Sequence, residues 1–210
     1  LAETVAQAGA LVVGTPDSSP AIAALGLGGD LVGAGDEGFV IRSAEINGNA
    51  CIAIAANRDA GVLYGVFHFL RLLQTEKPLD HLRVVSAPKI KYRMLHHWDN
   101  LDGTIERGYA GYSLWDWHKL PDYVDPRYTD YARANASVGI NSSVLTNSNV
   151  AALSLTHPYL LKAAALADVF RPYGIRVFLS ARFTAAKELA GLPTADPLDA
   201  RVAEWWRAKI

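Results

Sequence analysis

Apolar and polar positions follow two different rhythms along the chain, and the change falls near residue 87. In the first stretch, "ALVVGTPDSSPAIAAL" reads as a buried strand at Leu11–Val13, a Gly-Thr-Pro turn, and a helix opened by Ser19-Pro20. Serine suits a helix cap, and proline suits the first helical position, where no N–H is needed. Glycines then break the chain through Gly38. "EGFVIRSAEINGNACIAIAA" reads as two strands joined at Asn47-Gly48, a pair favoured in two-residue hairpin turns because both positions accept positive φ. "DAGVLYGVFHFLRLLQ" places Val62, Val66, Phe69, Leu70 and Leu73 near helical spacing, which predicts an amphipathic helix. Residues 1–86 are therefore expected to form a small α/β domain.

Past "SAPKIKYR", where Pro88 interrupts, strand, loop and helix repeat. The predicted strands are Tyr92–His97, Ile140–Leu145 and Ile175–Ser180. The first helix runs from Pro126 to Val138, with Asp125 as its cap and Gly139 as its stop. Thr156 is expected to cap the second, "HPYLLKAAALADVF", which ends at "RPYG". A third starts near Pro197 and carries Val202, Trp205 and Trp206. Short apolar strands alternating with helices imply a parallel sheet covered by helices. Such a sheet is either open and doubly wound or part of a barrel. No glycine-rich dinucleotide turn follows the first strand; instead the strands end in "HHWDN", "TNSN" and "SARF". Strand ends of a barrel converge on one face, where active sites form. The expected fold is thus α/β, a small N-terminal domain followed at 87–210 by about three β/α units of a TIM (β/α)8 barrel. Three strands cannot close a barrel, and the chain lacks an initiator methionine and ends inside a predicted helix. A fragment of a longer protein is expected, with exposed strand edges and poor solubility.

Composition narrows the function classes. Half the residues are apolar, a fifth are charged, and the net charge is -1, with no basic cluster to bind nucleic acid. No apolar run is long enough to span a bilayer, and cytoplasmic and secreted locations both stay open. The single cysteine, Cys51 in "ACIAIAA", reads as a buried thiol, and His68 as a core histidine. "GTPDSSP" lacks the lysine and glycine spacing of a phosphate-binding loop and reads as a plain turn. His96 and His97 are adjacent and face opposite sides of a strand, while His118 and His157 have no ligand spacing, so no metal is expected.

The densest chemistry lies in "RMLHHWDNLDGTIERGYAG", Arg93 to Gly111. Trp98 offers a flat apolar face, while Asp99, Asn100, Asp102, Glu106 and Arg107 offer acceptors and donors. Sugars need that combination, because their C–H faces stack while their hydroxyls require directional partners. Tyr109, Tyr112, Trp115 and Trp117 continue the theme, either as sugar contacts or as packing beneath a long loop. Asp99, Asp102 and Glu106 are also candidates for the two carboxyl groups of a glycosidase, although each equally suits a cap or a turn. Glu106 and Arg107 could pair only with each other.

Several blocks resemble a known family. "GVFHFLRLLQT", "SAPKIKYRMLHHWDNLDGTIERGYAG", "DPRYTDYARANASVGIN", "FRPYGIRVFLSARF" and "GLPTADPLD" resemble the N-terminal part of glycoside hydrolase family 67, the α-glucuronidases, colinearly from about residue 62. The resemblance implies removal, by inversion, of α-1,2-linked glucuronic acid, often 4-O-methylated, from xylo-oligosaccharides. It implies no metal or organic cofactor, a catalytic acid and base beyond Ile210 and none in this chain, and a homodimeric full-length protein. Trp98 matches the tryptophan lining the glucuronic acid pocket. Asp99, Asn100, Glu106 and Arg107 belong to the same substrate-binding block, with Asn147, Ser148 and Arg182 at the next two strand ends. Two departures stand out. His96 replaces the asparagine of the family's "NHWDN", and "TNSN" replaces "NNVN", so Thr146 and Ser148 stand where asparagine and valine are expected. That valine is expected near the 4-O-methyl group, so serine implies a weaker preference for the methylated sugar. A non-catalytic carbohydrate-binding module and a barrel glycosidase for another glycan are the alternatives.

Overall fold

The computed structural model describes residues 5–209, which divide into two units. The first comprises the described residues up to Tyr92 together with Arg133–Gly139, and the second Arg93–Ala132 with the remainder from Ile140.

The first unit contains strands β1 (Ala10–Gly14), β2 (Phe39–Ile46), β3 (Asn49–Ala55) and β4 (Arg83–Ser86) in the order β1-β3-β2-β4. β1 runs parallel to β3, and β2 is antiparallel to both its neighbours. The turn after β1 is held by Thr15 and Ser18, whose backbone and hydroxyl groups bond reciprocally. It leads into helix α1 (Pro20–Ala24), where the Ser19 hydroxyl accepts from the Ile22 N–H at 3.3 Å. The β2–β3 hairpin turns at Asn47 and Gly48, both at positive φ. Helix α2 (Gly28–Ala34) is unexpected in so glycine-rich a segment. Its C-terminal carbonyls are satisfied from outside, since the Asn57 amide donates to Leu31 O and Gly35 O at 2.6 and 2.8 Å. Helix α3 (Asp59–Gln74) approaches so closely that a Cβ on Gly61 would sit 2.3 Å from Gly38 O, and one on Gly65 2.7 Å from an Ile54 methyl. β4 is a second element that alternation over four residues did not reveal. Cys51 is buried and free, and burial raises its thiol pKa. His68 stacks obliquely on Phe39, and burial, helped by Arg71, holds its pKa below the usual imidazole value.

In the second unit, strands β5 (Met94–His96), β6 (Ser142–Val144) and β7 (Arg176–Phe178) form a parallel sheet in that order. Met94, Ser142 and Arg176 lie level, as do His96, Val144 and Phe178, so all three strands end together. Each strand is shorter than its apolar run, but the ladder continues irregularly, with Asn141 N–H donating to Arg93 O and His97 N–H to Val144 O. Helix α4 (Arg127–Ser137) starts where Asp125 accepts from the Arg127 N–H at 3.0 Å, and Gly139 ends it at positive φ. Helix α5 (His157–Phe170) corrects one expectation. Thr156 occupies the capping position, but its hydroxyl donates to Leu153 O, in the preceding 3-10 turn, and makes no cap bond. Helix α6 (Ala185–Ala190) was not expected, and α7 (Ala200–Lys209) starts three residues after Pro197. Trp115, Trp117, Tyr128, Leu145, Leu166, Phe170 and Ile175 make one core. Trp115 and Trp117 thus pack under the loop, whereas Tyr109 and Tyr112 stand in solvent. The fold is mixed α/β in both units.

Candidate functional site

Side-chain alternation continues past β5 and sorts its end into two sets. His96 and Trp98 lie on one side, their rings 6.3 Å apart. Trp98 is 50% exposed, an uncovered indole at the strand end. On that side the His96 Nε2 lies 3.3 Å from both Thr146 O and Ser180 Oγ, and the Thr146 hydroxyl accepts from the Ser180 N–H at 3.0 Å. This network ties the ends of all three strands together. His97 and Asp99 lie on the other side, in the core. Asp99 is 2% exposed, its Oδ2 accepting from the Ser113 hydroxyl and its Oδ1 lying 3.9 Å from the His97 Nδ1.

The loop after Asp99 folds back on itself. Glu106 N–H donates to Trp98 O at 2.8 Å, and Asn100 N–H to Thr104 O at 2.8 Å. Asn100 spends its amide hydrogens inside the loop, on Thr104 Oγ1 and Glu106 O. Asp102 accepts from the hydroxyl and N–H of Thr104, and these bonds lower its pKa. Glu106 sits at φ 58, in the left-handed region, and no hydrogen bond to its buried Oε2 is found among the described residues. Arg107 is exposed.

At the end of β6, Asn147 is buried. Its N–H donates to Asp99 O at 2.9 Å, and its Oδ1 accepts from the Asn149 N–H at 2.8 Å. Ser148 beside it is exposed. At the end of β7, Arg182 donates to Asn149 O at 2.8 Å and pairs with Glu188 at 3.3 Å, so its charge is partly engaged. Arg182 and Asn100 help to line a cleft of about 440 Å³ with Asp102, His118, Asn149 and Tyr159. Trp98 and Ser148 do not line this cleft. The expected residues therefore fall into an exposed group (Trp98, Arg107, Ser148), a buried group (Asp99, Asn147) and loop-holding groups (Asn100, Glu106, Arg182). Sequence reasoning missed Ser113, Tyr131 and Ser180, which meet the strand-end residues from distant positions. The one available signal was the alternation of "HHWD", which sends His97 and Asp99 inward together. Among the described residues, no three His, Cys, Asp or Glu side chains gather as a metal site would require, and no helix is long and apolar enough to cross a membrane.

The second unit thus holds a three-stranded parallel sheet with a half-exposed tryptophan just past the end of its first strand. Comparison with known families makes the assignment specific. Residues 1–69 match the glycosyl hydrolase family 67 N-terminus and residues 72–210 that family's middle domain. The chain belongs to glycosyl hydrolase family 67. It is 38% identical over 174 residues to a probable alpha-glucuronidase A of Aspergillus oryzae, covering 82% of this chain and 20% of that protein. It is 36% identical over 178 residues to alpha-glucuronidase A of Emericella nidulans, covering 81% and 20%. The chain thus spans about a fifth of the length of these relatives. Among solved structures, a family GH115 4-O-methyl-alpha-glucuronidase with specificity for decorated arabinogalactans superposes with a TM-score of 0.59 at 18% identity, over 98% of this chain and 29% of that one. A GH138 enzyme targeting pectin rhamnogalacturonan II gives 0.56 at 18% identity, over 95% and 28%. At that identity the likeness shows the fold alone.

Proposed function

We propose that this chain supplies part of the sugar-binding face of an α-glucuronidase, one that releases α-1,2-linked glucuronic acid, with or without a 4-O-methyl group, from xylo-oligosaccharides. The observation that carries the reading is the half-exposed Trp98 at the end of the first strand of an in-register parallel sheet, in a chain of family 67. An indole held there offers the apolar face that a pyranose ring stacks on. Residues 1–86 act as a supporting α/β domain, and residues 87–210 as the opening β/α units of a (β/α)8 barrel. Arg107 and Ser148, exposed as Trp98 is, meet the sugar, Ser148 near its 4-position, while Asn100, Glu106, Asn147 and Arg182 hold the loops that present them.

Inversion requires a protonated carboxyl group at the leaving oxygen and a carboxylate that activates water, with space for that water between them. A general acid needs a raised pKa. Neither Asp99 nor Asp102 suits that task. Asp99 is buried against Ser113, and the Thr104 bonds move Asp102 in the opposite direction. In keeping with the family resemblance, the acid and base are assigned to later barrel strands. Purified residues 1–210 are expected to release no glucuronic acid from aldouronic oligosaccharides, measured as free uronic acid over a long incubation. Sustained release at enzymatic rates would overturn the assignment.

A further inference from the structure

Trp98 is half exposed, yet both of its sequence neighbours are held on the inner side. His97 has a side chain 19% exposed, and its Nε2 lies 2.6 Å from the Tyr131 hydroxyl. Its ring meets Trp115 and Tyr131 edge-on, at 5.0 and 5.4 Å. Asp99 is held by the Ser113 hydroxyl at 2.5 Å, and Ser113 in turn accepts from the Trp115 N–H at 2.9 Å. Between these two anchors, the Trp98 carbonyl accepts from the Glu106 N–H. The backbone carrying the exposed indole is thus fixed from both sides, by the buried Asp99 and by His97, Ser113 and Tyr131, which are only partly exposed.

We propose that His97, Asp99, Ser113 and Tyr131 form a polar clamp that sets the orientation of the Trp98 indole, with His97 acting in it as a neutral imidazole protonated on Nδ1. The inference rests on the glucuronidase reading for its purpose, though not for its geometry. The proton positions follow from the partners. Because the Trp115 N–H occupies a lone pair of Ser113, the serine proton points to Asp99, which accepts only. His97 Nδ1 faces the same carboxylate at 3.9 Å, too long for a hydrogen bond but close enough to favour the proton on that nitrogen. Nε2 is then the acceptor for the Tyr131 O–H, and Ser143 Oγ lies 3.2 Å behind that hydroxyl. The titratable groups around His97 are Asp99, His96 and Tyr131. Burial keeps its pKa below the usual value, the charge of Asp99 opposes that shift, and His96 adds to it. Stacking depends on the plane of the ring, so a clamp on the strand governs affinity without touching sugar. These four are positioning residues.

The test uses fluorotryptophan-labelled protein, with the Trp98 fluorine resonance assigned through Trp98→Phe. Without sugar, Ser113→Ala and Tyr131→Phe are each expected to shift or broaden the Trp98 resonance and that of neighbouring Trp115, leaving Trp117, Trp205 and Trp206 in place. Ser113→Thr keeps the hydroxyl and should restore the Trp98 resonance. Imidazole nitrogen NMR at neutral pH should show His97 protonated on Nδ1. Titration with an aldouronic oligosaccharide should show about tenfold weaker binding in Ser113→Ala and recovery in Ser113→Thr, the loss expected for about one hydrogen bond. A Trp98 resonance that ignores both variants, a uniform shift of all five tryptophans, failure of Ser113→Thr to rescue, or a proton on Nε2 would each overturn the clamp. Wild-type protein that binds no sugar, while Trp98 still responds to the variants, would sink the glucuronidase reading and leave the clamp standing.

Discussion

The two units bring helix against sheet by opposite means. In the first, side chains are removed. Gly61 lets α3 approach the Gly38 backbone, Gly65 lets it close on the Ile54 and Phe39 side chains, and the small Ala56 lies beneath Gly61. In the second, large rings fill a wide space. Trp115 meets Tyr128, Tyr131 and Phe170 at centroid distances of 5.2–5.7 Å, and a polar network is threaded through the rings. Backbone contact makes a rigid support with little chemistry to offer. Aromatic filling leaves room for polar groups, and those groups fix the strand ends on which the proposed site stands.

That contrast predicts unequal responses to a change of volume. Trp115→Ala should cost the second unit about 3–5 kcal/mol, read from denaturant unfolding, because it empties the middle of the ring cluster. Gly61→Ala is the converse test on the first unit. Its new methyl would lie 2.3 Å from a backbone oxygen, and overpacking of this kind costs about 1–3 kcal/mol or more. A neutral Gly61→Ala would show that α3 can retreat and that the close approach is not required.

The helix starts give a smaller and sharper contrast. Ser19→Ala should cost about 1 kcal/mol, since that hydroxyl satisfies a helix N–H, whereas Thr156→Ala should cost a few tenths. Equal losses would contradict the capping geometry. Smaller again, Ser148→Val should leave stability unchanged and raise the preference for methylated over unmethylated glucuronic acid about fourfold, the worth of roughly one buried methylene. An unchanged ratio would remove Ser148 from the 4-position.

The smallest effect is a slope with pH. His97 and His68 both have folded-state pKa values below 6.5, so the unfolded chain takes up protons first as pH falls. Their contribution is complete above about 6.5 and is lost as pH falls from there through their lower folded values. His97→Gln should flatten the part belonging to the second unit and leave the His68 part in the first. A thermal-melting profile against pH separates them, and an unchanged profile would contradict the buried neutral His97.

How much of this was legible in the residues depends on whether an element acts locally. The Asn47-Gly48 hairpin, the Ser19 cap and the Asp125 start were readable because a turn or cap is decided within four residues. Helix α2 was not, since its glycines argue against it and its last carbonyls are satisfied by Asn57, more than twenty residues on. β4 was hidden because four residues are too few to show alternation, and its strand character comes from pairing with β2. In the site, the strand-end position of Trp98 followed from where the apolar run stops. The partners of His97 and Asp99 did not, because Ser113 and Tyr131 arrive from a loop and from α4. Composition marked the block as sugar-like but did not divide its carboxylates and amides between surface and interior.

The account turns on Trp98 as a sugar platform, and calorimetric titration of residues 1–210 with an aldouronic oligosaccharide, compared with xylotriose and with the Trp98→Ala variant, tests it most directly. The account predicts binding of the glucuronic-acid-bearing sugar, weaker binding of xylotriose, and a loss of at least about tenfold on removing the indole, as an aromatic stacking contact of 1.5 kcal/mol would give. Equal affinity of wild type and Trp98→Ala for the acidic sugar would contradict it.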